Sequence, residues 1–320
     1  MRTVLVSGAS GIIGYGILRS LKKSLRKFKL IGTSIYEDSA APGFCDIFEL
    51  APQTSDPRYI DWLFHIIEKH SVEMIIPGIE ADVYQWSESL SSLKGSGVVA
   101  LLNSPYLISI CKDKWVFYEE LEKARLPYLI ETTLNPDYTF LESKFNLPFL
   151  LKPRQGHGSK GIVRVDSRET FLKHEEGIGE ILMAQPVIGN DNEEFTTSAF
   201  CDGNGNYYAS ITLRRKLARD GYTEKAEVVT IEGMEKAVES LCSIFKPYGP
   251  TNFQFRRDNT GLKLLEINPR ISSSTSLRTA FGYNEALMAV DFFLENKIPQ
   301  QPLILPGKAV RYTEDLIFYT

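Results

Sequence analysis

The stretch TNFQFRRDNTGLKLLEINPR, Thr251 to Arg270, decides how the rest of the chain is read. Apolar and polar residues alternate on both sides of Asp258-Asn259-Thr260-Gly261, a turn composition, so the stretch predicts a β-hairpin. Alternate residues of a strand share a face. Asn252 and Gln254 then point one way and Phe253 and Phe255 the other, while Glu266 and Asn268 share a face opposite Leu265 and Ile267. Pro269 ends the second strand in front of Arg270. A carboxylate and several amides thus stand together over an apolar underside. Oxygen donors of that kind suit Mg²⁺, which keeps some waters and takes the rest of its shell from substrate phosphates. Polar residues on a solvated face would explain either strand alone. Two strands making the same choice, followed by Asn-Pro-Arg, favour a metal face.

Upstream, LLKPRQGHGSKGIVRV (Leu150 to Val165) places a glycine loop between two apolar strands. A Walker loop needs Gly-Lys-Ser/Thr at its end, and here Gly161 is followed by Ile162. Strand, loop and strand instead form a flap whose backbone N–H groups can close over phosphates, with Lys152 as a positive charge at its base. A plain hairpin loop would look the same.

The first hundred residues alternate apolar strands (Val4 to Val6, Leu30 to Ser34, EMIIPG, GVVALLN) with amphipathic helices, which predicts a parallel, doubly wound sheet. A helix is expected over KDKWVFYEELEKARL from Lys112, stopped by Pro127. Strands follow at Phe149 to Lys152, Ile162 to Val165 and Ile181 to Gln185, then a hairpin turning at Gly203 to Asn206, a helix over EGMEKAVESLCSIFKP, the second hairpin, a helix near Glu285 to Asn296 and a last strand over KAVRYTEDLIFY. The charged LRRKLARDGYTEKAEVV reads either as a solvated loop or as an anion site with Arg214, Arg215, Lys216 and Lys225. In PGIEADVY, Glu80 and Asp82 follow a strand's carboxyl end, where α/β domains place ligands. They equally suit the first turn of a helix.

The glycines Gly8, Gly11 and Gly14 in VSGASGIIG sit between a strand and a helix, with Glu37 and Asp38 after the second strand, and so raise a nicotinamide-dependent oxidoreductase as a rival. The stretch resembles extended short-chain dehydrogenases, whose chemistry needs a Tyr four residues before a Lys. None of the 15 Tyr has Lys in that place. The glycines then read as close helix–strand packing.

With 43% hydrophobic and 24% charged residues and a net charge of −4, the chain reads as an ordinary globular protein without an electrostatic footprint for nucleic acid or anionic lipid. RSLKKSLRKFK is a solvated helix face. Four scattered Cys suggest a reducing compartment and no disulfide or metal framework. No apolar run approaches membrane length, and the expected location is cytoplasmic.

In order, KDKW, LLKPRQGHGSKGIV, QPVIGNDNEEFTT, NFQF and LLEINPRISSSTSL are similar to the ATP-grasp superfamily, and the last block resembles the large chain of carbamoyl phosphate synthase. The resemblance covers roughly residues 1 to 295. It implies an α/β chain: a Rossmann-like pre-ATP-grasp domain (1–110), then a two-lobed α+β ATP-grasp fold with a small lobe carrying the flap (111–182) and a large lobe carrying the metal site (183–320). It implies ATP with Mg²⁺ or Mn²⁺ between the lobes. Lys114 and Lys152 match the basic residues on the α- and β-phosphates; the loop Gly156, Gly158, Ser159 and Gly161 matches the flap. Met183, Gln185 and Val187 match the hinge that reads adenine, and Glu194, with Glu193 as its alternative, the acid on the ribose. Gln254, Glu266 and Asn268 match the metal ligands and Arg270 the arginine on the transferring phosphoryl group, with Arg270 and Lys152 as the catalytic pair. The synthase pattern continues with another Arg where this chain has Ser273. The implied reaction joins a carboxylate or bicarbonate to an amine or other nucleophile through an acyl phosphate. The partners expected are those small molecules and a second copy in a homodimer, with neither nucleic acid nor membrane. A nucleotide-binding protein without catalysis would keep the same phosphate residues.

Overall fold

Val4, Leu5 and Val6 are completely shielded from solvent because their strand is the middle of a sheet. The computed structural model describes residues 1–156, 160–190 and 192–318. Its first part runs β1 (Arg2–Val6), α1 (Ile12–Lys22), β2 (Phe28–Ser34), β3 (Ile47–Leu50), α2 (Tyr59–His70), β4 (Met74–Ile76), α3 (Glu80–Glu88), α4 (Leu90–Gly95) and β5 (Val99–Ala100). The five strands are all parallel, in the order β3-β2-β1-β4-β5, with helices packed on both faces. This is the doubly wound sheet that the alternation predicts; β3, short and polar at Glu49, was not visible in the pattern.

Two helices then replace the single one expected from Lys112: α5 (Pro105–Lys112) and α6 (Lys114–Lys123). Ser104 caps the first by accepting from Leu107 N, and Asp113 caps the second by accepting from Trp115 N at 2.8 Å. Asp113, extended between them, is what divides the run. Helix α5 joins two cores, with Ile108 buried against the first sheet and Leu107 and Ile110 in the core of the second half.

A small lobe follows: α7 (Tyr138–Phe145), β6 (Phe149–Pro153), β7 (Val163–Val165), α8 (Arg168–Leu172) and β8 (Leu182–Pro186), whose strands form an antiparallel sheet in the order β7-β6-β8. The remainder is β9 (Glu194–Asp202), β10 (Tyr207–Leu217), β11 (Thr223–Val228), α9 (Met234–Phe245), β12 (Tyr248–Asp258), β13 (Gly261–Asn268), α10 (Thr275–Ala280), α11 (Glu285–Glu295) and β14 (Lys308–Val310). These strands make a six-stranded sheet, β13-β12-β9-β10-β11-β14, antiparallel throughout. The segment Thr223–Val228, open between loop and site in the sequence, is a strand, and the last strand is three residues long.

The hairpin closes as expected at Asp258 to Gly261, with Gln254 opposite Glu266 and Asn252 opposite Asn268. A register shift between Gln254 and Phe255 leaves Leu265 as an extra residue on β13. Phe253, Phe255, Leu264 and Ile267 bury the underside against Val238, Leu241 and Phe245 of α9 and Phe117 and Leu121 of α6. Helix α1 fastens the first sheet to the large lobe: Ser20 Oγ accepts from Thr279 Oγ1 at 2.8 Å, and Arg26 pairs with Asp291 and Glu295 of α11. Among the described residues no helix is long and apolar enough to cross a membrane.

Candidate active site

The chain's first glycine loop is filled by the protein itself. A Cβ on Gly14 would lie 2.3 Å from the carbonyl oxygen of Gly8, and one on Gly78 would lie 2.1 Å from that of Ser7. The turn after β1 and the turn after β4 thus touch backbone to backbone, which only glycine allows. That contact explains Gly14 and Gly78 as packing.

The polar side chains gather elsewhere, in a cleft between α3, the start of α6 and the end of β13, lined by Glu80, Tyr84, Lys114, Glu266, Asn268 and Arg270. Lys114 reaches it because Asp113 pins the first turn of α6 to the flap's base: Asp113 Oδ2 accepts from Arg154 Nη2 at 2.8 Å, and Lys114 N donates to the Arg154 carbonyl at 2.8 Å. Lys114 Nζ donates to the carbonyl of Gly156 at 2.7 Å, at the mouth of the loop. Gly158 and Ser159 lie outside the described residues; Gly161, at φ 76°, returns the chain toward β7.

Lys152, half-buried on β6, stands within electrostatic reach of Glu266 and Lys114. Burial, reinforced by Lys114, pulls its ammonium below the usual lysine range against the opposing pull of Glu266 and Glu194. For Glu266 burial works upward, but Lys152, Lys114 and the amide of Asn268 outweigh it and hold the carboxyl below the usual range. Glu266 thus presents a carboxylate on this face. Asn268 Nδ2 donates to Glu266 Oε1 at 3.1 Å, which turns its Oδ1 toward Arg270, whose Nη2 donates to it at 3.1 Å. The same nitrogen donates to Glu80 Oε1 at 2.9 Å, so Arg270 links the end of β13 to α3 of the first domain. Arg270 Nε is buried without a hydrogen-bond partner among the described residues. A buried donor of that kind fits an anionic group entering the cleft.

The carboxylate of Glu266 and the Asn268 oxygen fit a hard divalent cation. Gln254 Oε1 accepts from Arg215 Nη2, just as Asn268 Oδ1 accepts from Arg270 Nη2. Glu194 also has another task than the sequence suggests. It is buried, with Oε1 at 2.9 Å from Arg215 Nη2 and Oε2 at 2.9 Å from Arg256 Nη2. Both oxygens of the residue matched to the ribose are committed to guanidinium groups, and Glu193 pairs with Arg257 at 2.7 Å. Met183 and Gln185 are buried on β8, facing Lys152 and Leu150 across the ladder, and Val187 is half-buried just beyond. Gln185 Nε2 donates to Thr132 Oγ1 at 2.7 Å.

Of the residues left open by the sequence, Arg215 is buried in the site, Arg214 lies partly exposed beside Glu227, and Lys216 is exposed. Asp82 faces inward. It accepts from Thr54 Oγ1 and Tyr59 Oη at 2.7 Å each, and burial raises its carboxyl despite those donors. Sequence reasoning missed Asp113, Arg154 and Arg256. Counting outward from the turn at Gly203 to Asn206 would not have placed Arg215 opposite Glu194, because a register shift between Tyr207 and Ala209 offsets the β9–β10 ladder by one residue before Arg214 comes opposite Phe195.

A doubly wound sheet followed by two lobes with antiparallel sheets is the architecture of the ATP-grasp fold. Residues 181–316 match the family described as ATP-grasp in the biosynthetic pathway with Ter operon, and residues 9–101 match the PylC-like N-terminal domain. The chain thus carries a PylC-like N-terminal domain followed by an ATP-grasp domain. Among curated relatives it is 25% identical over 195 residues to the carbamoyl phosphate synthase large chain of Mycobacterium sp. (strain JLS), which covers 56% of this chain but 17% of that one. Among solved structures it is similar to N5-carboxyaminoimidazole synthetase from Staphylococcus aureus complexed with ADP (TM-score 0.73, 18% identity, 95% of this chain and 80% of that one). It is also similar to the biotin carboxylase domain dimer of Hydrogenobacter thermophilus 2-oxoglutarate carboxylase in complex with MgADP, ADP and bicarbonate (TM-score 0.70, 15% identity, 96% and 73%).

Proposed function

We propose that the chain is an ATP-dependent ligase that joins a carboxylate or bicarbonate to an amine or another nucleophile through an acyl phosphate, with MgATP held between the lobes. The observation that carries this reading is the meeting of Lys114, Glu266, Asn268 and Arg270 in one cleft, with Lys152 beside them, brought there by α6, β13 and β6. Two solved relatives with the same fold bind ADP, one of them with Mg²⁺ and bicarbonate. Their likeness over nearly the whole chain favours a carboxylase-like member over a carbamoyl phosphate synthase-like one, whose match spans a small part of the relative. Bicarbonate is therefore the first carboxylate to test.

In this reading Lys114 and Lys152 hold the phosphates, and Met183 to Val187 form the wall beside the base. Glu266 and Asn268 would hold Mg²⁺, which offsets the charge on the β- and γ-phosphates. Arg270 swings its unpartnered Nε toward the γ-phosphoryl group. A carboxylate oxygen of the substrate forms the new P–O bond as the bond to the β-phosphate oxygen breaks, giving ADP and an acyl phosphate. The amine's lone pair then attacks the acyl carbon, phosphate leaves with the C–O electron pair, and the amine's proton passes to water. The chain's part is mostly positioning and charge.

MgATP at about a hundred times its Kd should stabilise the protein by about 2.7 kcal/mol in thermal melting. NADPH should leave the melting temperature unchanged; the reverse pattern would remove the ligase reading. Lys152→Ala should weaken MgATP by about 1.5–3 kcal/mol in calorimetry, the scale of a charge-assisted hydrogen bond, with little change in the apo melting temperature. A large fall in apo stability with unchanged affinity would make Lys152 a structural partner of Glu266 instead. An ADP-release screen over bicarbonate and other carboxylates, each with and without an amine, identifies the substrates.

A further inference from the structure

After β14 the chain leaves the large sheet and crosses to the first domain, where a Cβ added to Gly43 would lie 2.3 Å from a methyl of Leu316. Arg311 stands at the start of that crossing. Its backbone N–H donates to the Glu224 carbonyl at 2.9 Å, its Nε to the Thr223 carbonyl at 2.7 Å, and its Nη2 to the Ser273 carbonyl. The guanidinium is thereby held between β11 and the loop that follows Arg270. Nη1 and the second N–H of Nη2 have no partner among the described residues.

Neutral carbonyls do not balance a charge, and no carboxylate pairs with Arg311 among the described residues. The groups that act on it are Tyr15, Arg19 and Tyr222. Burial pulls the half-buried guanidinium below the usual arginine range, Arg19 adds to that pull, and the two phenols oppose it. It stays protonated all the same, as arginines in proteins do. Packing of α1 brings Arg19 here. Gly16, nearly a turn before it, meets Thr275, two residues past Ser273, so closely that a Cβ would lie 3.1 Å from the Thr275 methyl. Tyr15 and Arg19, four residues apart, share a face of the helix. Arg19 is exposed and has no acidic partner among the described residues. Two guanidinium groups thus stand within electrostatic reach of each other with no counter-charge supplied by the chain. A cation half-buried in that way is costly until an anion joins it.

We propose that Arg311 and Arg19, flanked by Tyr15 and Tyr222, form an anion site at the joint of the first domain and the large lobe, which takes a carboxylate or phosphate group. The forked donors of arginine suit the paired oxygens of either group. Ser273 is three residues from Arg270, at most about 11 Å of chain. The anion is accordingly the far end of a substrate that reacts at Arg270, or a free ion that fastens the tail to α1. The choice of source rests on the ligase reading above; the site does not.

The test is a calorimetric titration of the full-length chain with inorganic phosphate, and separately with acetate, at constant ionic strength. Mg²⁺ and a non-hydrolysable ATP analogue are present throughout to cover Lys114 and Lys152. One anion per chain is expected. Arg311→Gln and Arg19→Gln should each weaken it by about tenfold or more, the scale of one charge-assisted hydrogen bond. Lys27→Gln, which removes an exposed cation beyond the end of α1, should change it by less than about twofold, as a screened surface charge does. Because Arg311→Gln also releases the tail, Arg19→Gln carries the decision. Undiminished binding in that variant, or no saturable binding of either anion by the wild type, would overturn the site. The ADP-release assay separates the sources. Phosphate competing with the substrate, with KM raised and kcat unchanged in Arg19→Gln, assigns the site to a substrate's far end; no effect on KM assigns it to a free anion. A chain that binds no nucleotide would lose the MgATP reading and still give the same titration.

Discussion

Glu266→Gln is expected to melt close to the wild type and to lose Mg²⁺-dependent ADP release by several powers of ten, each ~1.4 kcal/mol of lost transition-state stabilisation being a factor of ten. The fold should tolerate the change because Gln is isosteric and its oxygen still accepts from Asn268 Nδ2, now 3.1 Å away. The chemistry should not. Glu266 is the carboxylate proposed to hold the metal, and Lys152 and Lys114 are the charges that keep it ionised against burial. Without its charge a divalent ion faces two ammonium groups with only amide oxygens to hold it. The pH behaviour follows from the same balance. Because the folded-state carboxyl is held below its ordinary value, its stabilising contribution is present above the usual carboxylate range and disappears as pH falls through the depressed value. Metal affinity should therefore survive into mildly acidic buffer. Undiminished ADP release by a well-folded Glu266→Gln protein would remove the metal assignment, and with it the position of the phosphates.

The sequence reveals the parts of this arrangement that depend on local patterning. Alternation marks β12 and β13 and puts Gln254, Glu266 and Asn268 on one face, and Lys152 before a glycine loop marks the flap. What it does not reveal are partners supplied by strands far away in the chain. The choice between ribose and arginine for Glu194 depends on β10 and β12 flanking β9, a fact of sheet order rather than of any motif. Likewise the contact of Gln254 with Arg215, nearly forty residues earlier, is made by the same sheet. The loop reading of Thr223–Val228 fails for a related reason. Its alternation is weak because Lys225 is exposed and Glu224 and Glu227 lie at the sheet's margin, where β14 covers it by only three pairs. Arg278, in a serine- and threonine-rich stretch after the metal strand, carries no local sign that it is completely buried.

That burial makes Arg278→Ala the substitution expected to cost most stability, about 3–5 kcal/mol, the range for breaking a buried ion pair by removing one partner. Arg278 on α10 and Glu285 at the start of α11 are both 0% exposed. Arg278 Nη1 donates to Glu285 Oε1 at 3.1 Å, and Nη2 donates to Thr196 Oγ1 at 3.0 Å and to Asn252 Oδ1. Ser198 Oγ donates to the other oxygen of Glu285. One guanidinium therefore ties two helices to β9 and β12 beneath the catalytic face, and its loss leaves a buried carboxylate with a single hydroxyl for a partner. The neutral double variant Arg278→Met with Glu285→Leu should recover most of the loss, because the stranded charge is gone and the volume is filled. Denaturant unfolding separates the two outcomes: a single variant costing under about 1 kcal/mol would mean that water reaches Glu285, and a double variant as unstable as the single would mean that the hydrogen bonds, not the charge pair, hold the corner. The site should register the change before the fold is lost. Asn252 pairs with Asn268 across the ladder and lies two residues from Gln254, so releasing Asn252 from Arg278 loosens the strand that backs Glu266. Mn²⁺ affinity of Arg278→Ala, measured at a temperature where the protein is still folded, should fall while that of the double variant falls less. Equal Mn²⁺ affinity in the wild type and the single variant would show that the metal face keeps its geometry without the buried pair.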